Sequence, residues 1–278
     1  MKKSPKKLYY VLNKYSSEDF SHLFHVINLL GQIHEKYIPV VLVLEKGYET
    51  PGEVPSGFES LILTNNKYLR PLALIRFIVQ EKLSSDDVMF VRISKHSALT
   101  AGVLRVIYGY KLFYWQSGTT QRNELDNRSF LHRLSYTLSE IIVLRMIARL
   151  STYFVTGPEA MIKYYNEFIG IPAHKLGLLY NDIDVVRFKP ISLSEKAELR
   201  KKLTLPFDKK ILLYTKRLSP VKGAYYYIEN LVNELPPDFV LVVLGEGVLR
   251  EKVVALNAQN DRLLYVGSVP NVIIQEYY

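Results

Sequence analysis

The feature that most limits what this chain can become is its alternation of short apolar runs with longer segments of helical period. Leu8–Leu12, Tyr37–Leu44, Glu59–Leu63, Val88–Ile93, Leu112–Gln116, Tyr153–Thr156 and Leu178–Tyr180 read as strands. Between them, Phe20 to about Gly31, Tyr68–Leu83, Ser97–Tyr108, Phe130–Leu150 and Pro158–Phe168 read as helices. The strand runs are apolar on both faces, the pattern of a parallel sheet covered by helices on either side. Asp182 to Pro190 interrupts the pattern with mixed polar residues. Ser192 and Glu195 then stand at capping-box spacing and open a charged helix to Leu203. The alternation resumes with strands at 211–214, 239–244 and 263–266 and helices at 221–235 and 248–257. The expected fold is α/β, with two Rossmann-like parallel-sheet domains over residues 1–188 and 189–278. The second reads as half of a doubly wound sheet, so it is expected to be small or incomplete, with an apolar edge exposed where the chain stops.

Composition narrows the function classes. Hydrophobic residues make up 48% of 278, enough for a sizeable core. Cys is 0, which excludes disulfides and thiolate zinc sites, and nothing calls for an oxidising compartment. The expected location is cytoplasmic. The longest stretch without Lys, Arg, Asp or Glu, Phe20 to His34, is too short to span a bilayer. The net charge of +9 is spread along the chain. It favours anionic partners, whether nucleotide phosphates, a membrane face or nucleic acid, without choosing among them. No helix-turn-helix, RNP or zinc motif appears, so a basic nucleic-acid binder is a remote alternative. No acidic or His cluster has ligand spacing, so neither metal nor resident cofactor is expected.

Lys209 to Gly223, KKILLYTKRLSPVKG, is the stretch with most chemistry in it. A buried-strand pattern ends at Tyr214, cations follow at Lys216, Arg217 and Lys222, and a helix is expected from Val221. In an open α/β sheet, ligands bind at the carboxyl ends of strands, and a helix N-terminus there favours anions. One reading is a phosphate pocket. The other is a loop of solvated cations.

Four motifs in order carry a resemblance: LLYNDIDVVRFKP from Leu178, YTKRLSPVKG from Tyr214, LVVLGEG from Leu241 and LLYVGSVPN from Leu263. Together they resemble the retaining glycosyltransferases of the GT-B fold, family four. The likeness is specific over about 178–278 and rests on β/α order alone before that. It implies a donor site in which Arg217 and Lys222 are catalytic, gripping the diphosphate of a nucleotide sugar, with Lys216, Gly245 and Gly247 donor-binding. It makes Asn181 and Asp184 a domain junction, with Asp184 holding a turn and Phe188 packing. For the two glycines the alternative is a strand–helix turn that needs positive φ. Asp182 and Lys216 stand where the family has glycine. The family's paired glutamates would lie beyond Tyr278, so the chain resembles a member truncated in its donor domain, with weak or no transferase activity by itself. A non-catalytic nucleotide-sugar or partner-binding fragment of the same fold is the alternative.

On the acceptor side, three strand ends point to a cleft: Ser16 and Ser17, Arg92 to His96, and Gln116 with Gly118. Gln116-Ser117-Gly118 stands where relatives have a His-Gly-like pair, and His96 is the nearest imidazole. The implied acceptor is a glycan or lipid-linked glycan in polysaccharide biosynthesis. Phe130–Leu150 carries an apolar stripe at Leu131, Leu134, Leu138, Ile141 and Ile142, with Arg133, Arg145 and Arg149 between. It reads as a core-facing helix or as a peripheral membrane contact.

Overall fold

The structure, a computed structural model, describes residues 7–12, 20–45, 59–64, 66, 68–118, 130–220 and 223–278. For 20–25, 60 and 130–134 it describes the backbone alone. It divides into two compact units, Met1–Asp182 and Ile183–Tyr278.

Unit 1 is a sheet of seven parallel strands. They are β1 (Leu8–Leu12), β2 (Val40–Leu44), β3 (Glu59–Ile62), β4 (Val88–Arg92), β5 (Lys111–Trp115), β6 (Tyr153–Thr156) and β7 (Leu176–Leu178). Their order is β3-β2-β1-β4-β5-β6-β7, so the winding reverses between β1 and β4. Helix α1 (Phe20–Lys36) covers one face, packing Val26, Ile27 and Leu30 on Tyr10, Leu42 and Leu44. Helices α2 (Arg70–Gln80), α3 (Lys95–Tyr108) and α4 (Phe130–Leu150) cover the other, against Val11, Val43, Val91 and Tyr114. Each large apolar side chain buried this way contributes about 1.5–3 kcal/mol. Along the α1 face, Tyr10, Phe90, Phe113 and Tyr153 stack in a row, with centroids 5.0, 6.4 and 5.7 Å apart. Helix α5 (Glu159–Lys163) continues as one π-helical turn, Tyr164–Phe168.

Several element boundaries differ from those the sequence suggests. Helix α1 does not fade at Gly31 but continues to Lys36, because Leu30 and Ile33 are still on its packing stripe. His34 Nδ1 then accepts the Val40 N–H at 2.9 Å, so Tyr37–Pro39 is a helix exit and β2 starts later. Strand β7 lies two residues early, because Leu176–Leu178 is what bonds to β6. Strand β4 stops at Arg92 because Ile93 has φ +68°.

Unit 2 is a parallel sheet in the order β10-β9-β8. Its strands are β8 (Lys210–Thr215), β9 (Phe239–Leu244) and β10 (Leu263–Gly267). Helices α7 (Ala224–Glu234) and α8 (Arg250–Gln259) share one face, as right-handed crossovers require. On the other face Leu203 and Leu205, which follow α6 (Leu193–Lys202), pack with Ile274 and Tyr277 of the C-terminal 3₁₀ segment Asn271–Tyr277. Ser192 caps α6 through the full capping box with Glu195. Helix α7 runs from Ala224; Val221, where the sequence suggests a start, lies outside the described residues. Gly223 precedes it at φ +62°, and its N–H bonds to Pro220 in a turn.

Candidate functional site

The carboxyl edge of unit 2 is built from three loops that interlock through backbone. After β8, Lys216 and Arg217 are exposed while Leu218 is fully buried, so Leu218 anchors the loop and turns the cations outward. Leu218 N–H donates to Glu246 C=O at 2.9 Å, and Leu218 C=O accepts from Leu249 N–H at 3.2 Å. Gly245 N–H donates to Gly267 C=O at 2.8 Å, which ties the β9 loop to the end of β10. Tyr265 reinforces that tie by donating its hydroxyl to Gly245 C=O at 3.0 Å. Burial, and then the Glu246 carboxylate, push the Tyr265 hydroxyl above its usual range.

The two glycines are demanded by this interlock. Gly245 has φ +138° and Gly247 φ +155°, conformations that side chains rarely adopt. A Cβ on Gly245 would strike the Lys216 carbonyl oxygen. One on Gly247 would strike the Leu218 carbonyl, 2.8 Å from its carbon. Their direct neighbour is therefore the backbone of the cation loop, which they hold in position. Lys222 lies outside the described residues.

The junction residues have local roles. Asp184 Oδ1 accepts from the N–H groups of Val186 and Arg187 at 3.1 and 3.0 Å, closing a turn. Phe188 packs edge-on to Tyr278, with centroids 5.7 Å apart. Arg187 reaches Gln275 at 2.8 Å, and Tyr278 Oη lies 2.7 Å from Thr215 Oγ1, at the end of β8. Asn181 is exposed.

The carboxyl edge of unit 1 is held by side chains instead. Gln116 is 4% exposed; its Oε1 accepts from Tyr114 at 2.6 Å. Tyr165 donates to the carbonyl of Gly118 at 3.1 Å. Gly118 has φ +97°, and no atom of the described residues comes within 4 Å of where its Cβ would stand. The Arg92 guanidinium lies 4.0 Å from the Trp115 ring centroid, and its charge works against the rise that burial gives the Tyr10 hydroxyl pKa. Gln116 and Arg92 are thus committed to neighbours within unit 1. His96 is exposed in the first turn of α3. Ser16 and Ser17 lie outside the described residues. Of the α4 stripe, Ile141 packs on the core while Leu138 and Ile142 are exposed; Leu131, Arg133 and Leu134 are among the residues described by backbone alone.

Two features of this edge are not evident in the sequence. Ile93 is a β-branched residue in the left-handed region, where such residues are outliers. It is held there by three bonds. Its N–H donates to Trp115 C=O at 2.8 Å, its C=O lies 3.0 Å from the Tyr114 hydroxyl, whose one proton it shares with Gln116 Oε1, and Ser94 N–H closes on Arg92 C=O at 2.8 Å. Strain of this kind costs roughly 1–3 kcal/mol and gathers at functional sites. The second is Glu45, 2% exposed at the carboxyl end of β2 and bonded by the hydroxyl of Ser97. Its one signal is an acid directly after a fully apolar strand. Among the described residues, no cluster of His, Asp or Glu could hold a metal ion, and no helix is long and apolar enough to cross a membrane.

No family model matches the sequence, and no curated protein is significantly similar to it. Solved structures are. HepE of Anabaena, in complex with UDP, superposes with a TM-score of 0.70 at 15% identity, over 98% of this chain and 71% of HepE. The chain has the GT-B fold. A glycosyltransferase from Rickettsia africae matches with a TM-score of 0.68 at 15% identity, over 98% of this chain and 70% of that one. UDP-GlcNAc 2-epimerase from Methanocaldococcus jannaschii matches more loosely, with a TM-score of 0.53 at 12% identity, over 98% and 75%. At these identities the likeness is one of fold, and the fold serves both sugar transfer and epimerisation.

Proposed function

We propose that this chain is a retaining glycosyltransferase of family-four type, taking its sugar from a nucleotide-diphosphate donor held at the carboxyl edge of unit 2. The observation that carries the reading is the exposed pair Lys216 and Arg217, on a loop pinned by Gly245 and Gly247 at the ends of parallel strands. A departing nucleoside diphosphate accumulates negative charge. Cations already positioned there stabilise the transition state more than the ground state. Lys222, from the same loop, completes the grip in this reading. The complexes of HepE with UDP and UDP-glucose support a nucleotide-sugar ligand. The donor substrate needs neither a metal nor a resident cofactor in this reading.

The acceptor side belongs to unit 1, with a glycan or lipid-linked glycan as acceptor. Ser16, Ser17 and His96 stand on its carboxyl-edge loops in sequence, and Gln116 and Arg92 frame that edge. Peripheral contact with a membrane on the cytoplasmic side is part of the same reading, supported by Leu138 and Ile142, exposed on α4.

A second reading is a non-catalytic nucleotide-sugar binder; the fold's use in an epimerase shows that it is not tied to sugar transfer. Calorimetry with UDP and GDP tests the binding site common to both. Arg217→Ala is expected to weaken binding about ten- to hundredfold, the worth of one charge-assisted bond. If neither diphosphate binds the native chain, both readings fall. Sugar release from a bound donor separates the enzyme from the binder.

A further inference from the structure

Unit 1 carries a second concave site, on the sheet edge opposite Ile93 and Gln116. Its walls are the last turns of α4 and the strap 170–175. Both end just before β6 and β7 begin, at Tyr153 and Leu176, so the cleft opens at the amino ends of the strands. It holds about 450 Å³, within the range of small-ligand sites. Ala148 and Ile171, both buried, form its floor. Ile142 and Met146, one turn apart on α4 and 58% and 49% exposed, form one wall, and Pro172 stands in the other.

The lining contains four basic residues and no carboxylate. Two of them assemble the cleft. Arg145 Nε donates to the Ile169 carbonyl, and its guanidinium lies flat against Gly170, where a Cβ would sit 2.7 Å from Nη2. Lys175 Nζ donates to Ser151 C=O at 2.8 Å. Burial, and then the charge of Arg105, push the Lys175 amine below its ordinary value, as expected where no counter-ion is at hand. The other two, Arg149 and His174, are exposed and make no hydrogen bond or ion pair among the described residues. Lys95, by contrast, is answered by Glu140 of α4 at 2.9 Å.

We propose that this cleft binds one anionic amphiphile, a phosphate or carboxylate on an apolar chain or ring. Its acid group sits on Arg149 and His174, and its apolar part lies along Ile142, Met146 and Pro172. The physical case is the pairing of unfilled apolar wall with unanswered positive charge in one preformed hollow. Water satisfies neither well, and a ligand carrying both chemistries satisfies each at once. The proposal does not depend on the transfer reading, since none of these residues lies at a carboxyl edge.

The test is calorimetric titration of the full chain with decyl phosphate, kept monomeric. Saturation at one site is expected, with inorganic phosphate and decanol each binding at least tenfold more weakly. Arg149→Ala combined with His174→Ala should lose at least tenfold in affinity at an unchanged thermal midpoint, and Met146→Glu, at an exposed position, should do the same. Undiminished binding by both variants, or equal affinity for decanol, overturns the proposal. Sedimentation with vesicles of phosphatidylglycerol and phosphatidylcholine distinguishes the sources. Monomer binding with vesicle recruitment indicates a membrane lipid, and monomer binding without it a soluble amphiphile. Vesicle recruitment without monomer binding overturns the cleft.

Discussion

The two carboxyl edges solve the same problem with different materials. In unit 2 the cation loop is fixed by main chain lying against main chain, with Gly245 and Gly247 beneath the carbonyls of Lys216 and Leu218. In unit 1 the described residues at this edge, those after β4 and β5, are fixed largely by side chains, with Tyr114, Gln116 and Tyr165 in one network and Arg92 on Trp115. Glycine pinning holds the loop mostly through main chain, with Tyr265 as the one polar side chain named in the tie, and leaves Lys216 and Arg217 on the exposed side. Side-chain pinning spends polar side chains. Arg92 and Gln116 therefore frame unit 1's edge, whereas Lys216 and Arg217 face outward from unit 2's.

The contrast can be broken most completely with alkali. Burial raises the hydroxyl pKa of Tyr10, Tyr110, Tyr114 and Tyr165 in unit 1. An acid whose folded pKa exceeds its unfolded value of about 10 contributes stability in full below that value. The contribution is lost as pH rises from there toward the folded pKa. Unit 1 should thus unfold above about pH 10, with tyrosinate absorbance appearing together with loss of its near-ultraviolet circular dichroism. Ionisation of these four buried tyrosines in a unit that keeps its circular dichroism would contradict the buried network.

Gly247→Ala is the largest single-residue effect expected. The collision with Leu218 and the strained φ should together cost about 2–4 kcal/mol in denaturant unfolding. A loss below about 1 kcal/mol would mean the loops are not interlocked. Tyr114→Phe comes next. It removes the one proton that the hydroxyl shares between Gln116 Oε1 and the Ile93 carbonyl, at about 1–3 kcal/mol. The smallest effect is expected of Ile93→Gly. Relief of strain offsets the lost side-chain contact and the added freedom of the unfolded chain, so stability should change by less than about 1 kcal/mol. A loss of 2 kcal/mol or more would show that Ile93 sits there comfortably.

Most of the fold was legible because burial on two faces leaves a signature in composition. VVLVL at Val40–Leu44 and FVLVVL at Phe239–Leu244 can hardly be anything but central strands. The spacing of Ser192 and Glu195 likewise predicts the cap that forms. Element ends were less legible, because contacts made elsewhere decide them. Nothing local to Gly31 indicates that α1 must continue until Ile33 meets the sheet.

The candidate donor loop divides in the same way. The order of strand, cations, helix and later glycines can be read along the chain, since each depends on near neighbours in sequence. Why the glycines are glycines cannot, since their constraint is a carbonyl about thirty residues away that arrives only when β8 and β9 pair. The same holds for the amino-edge cleft. Arg149 and His174 are far apart in the chain and ordinary in composition; the strap that Arg145 and Lys175 tie to α4 makes them one site. Sequence alone determined which segments are strands and helices and where the cations fall among them, because those depend on periodicity and burial. Tertiary structure decided which polar groups are consumed in holding the loops and which remain for a ligand, because that depends on backbone brought together across the sheet.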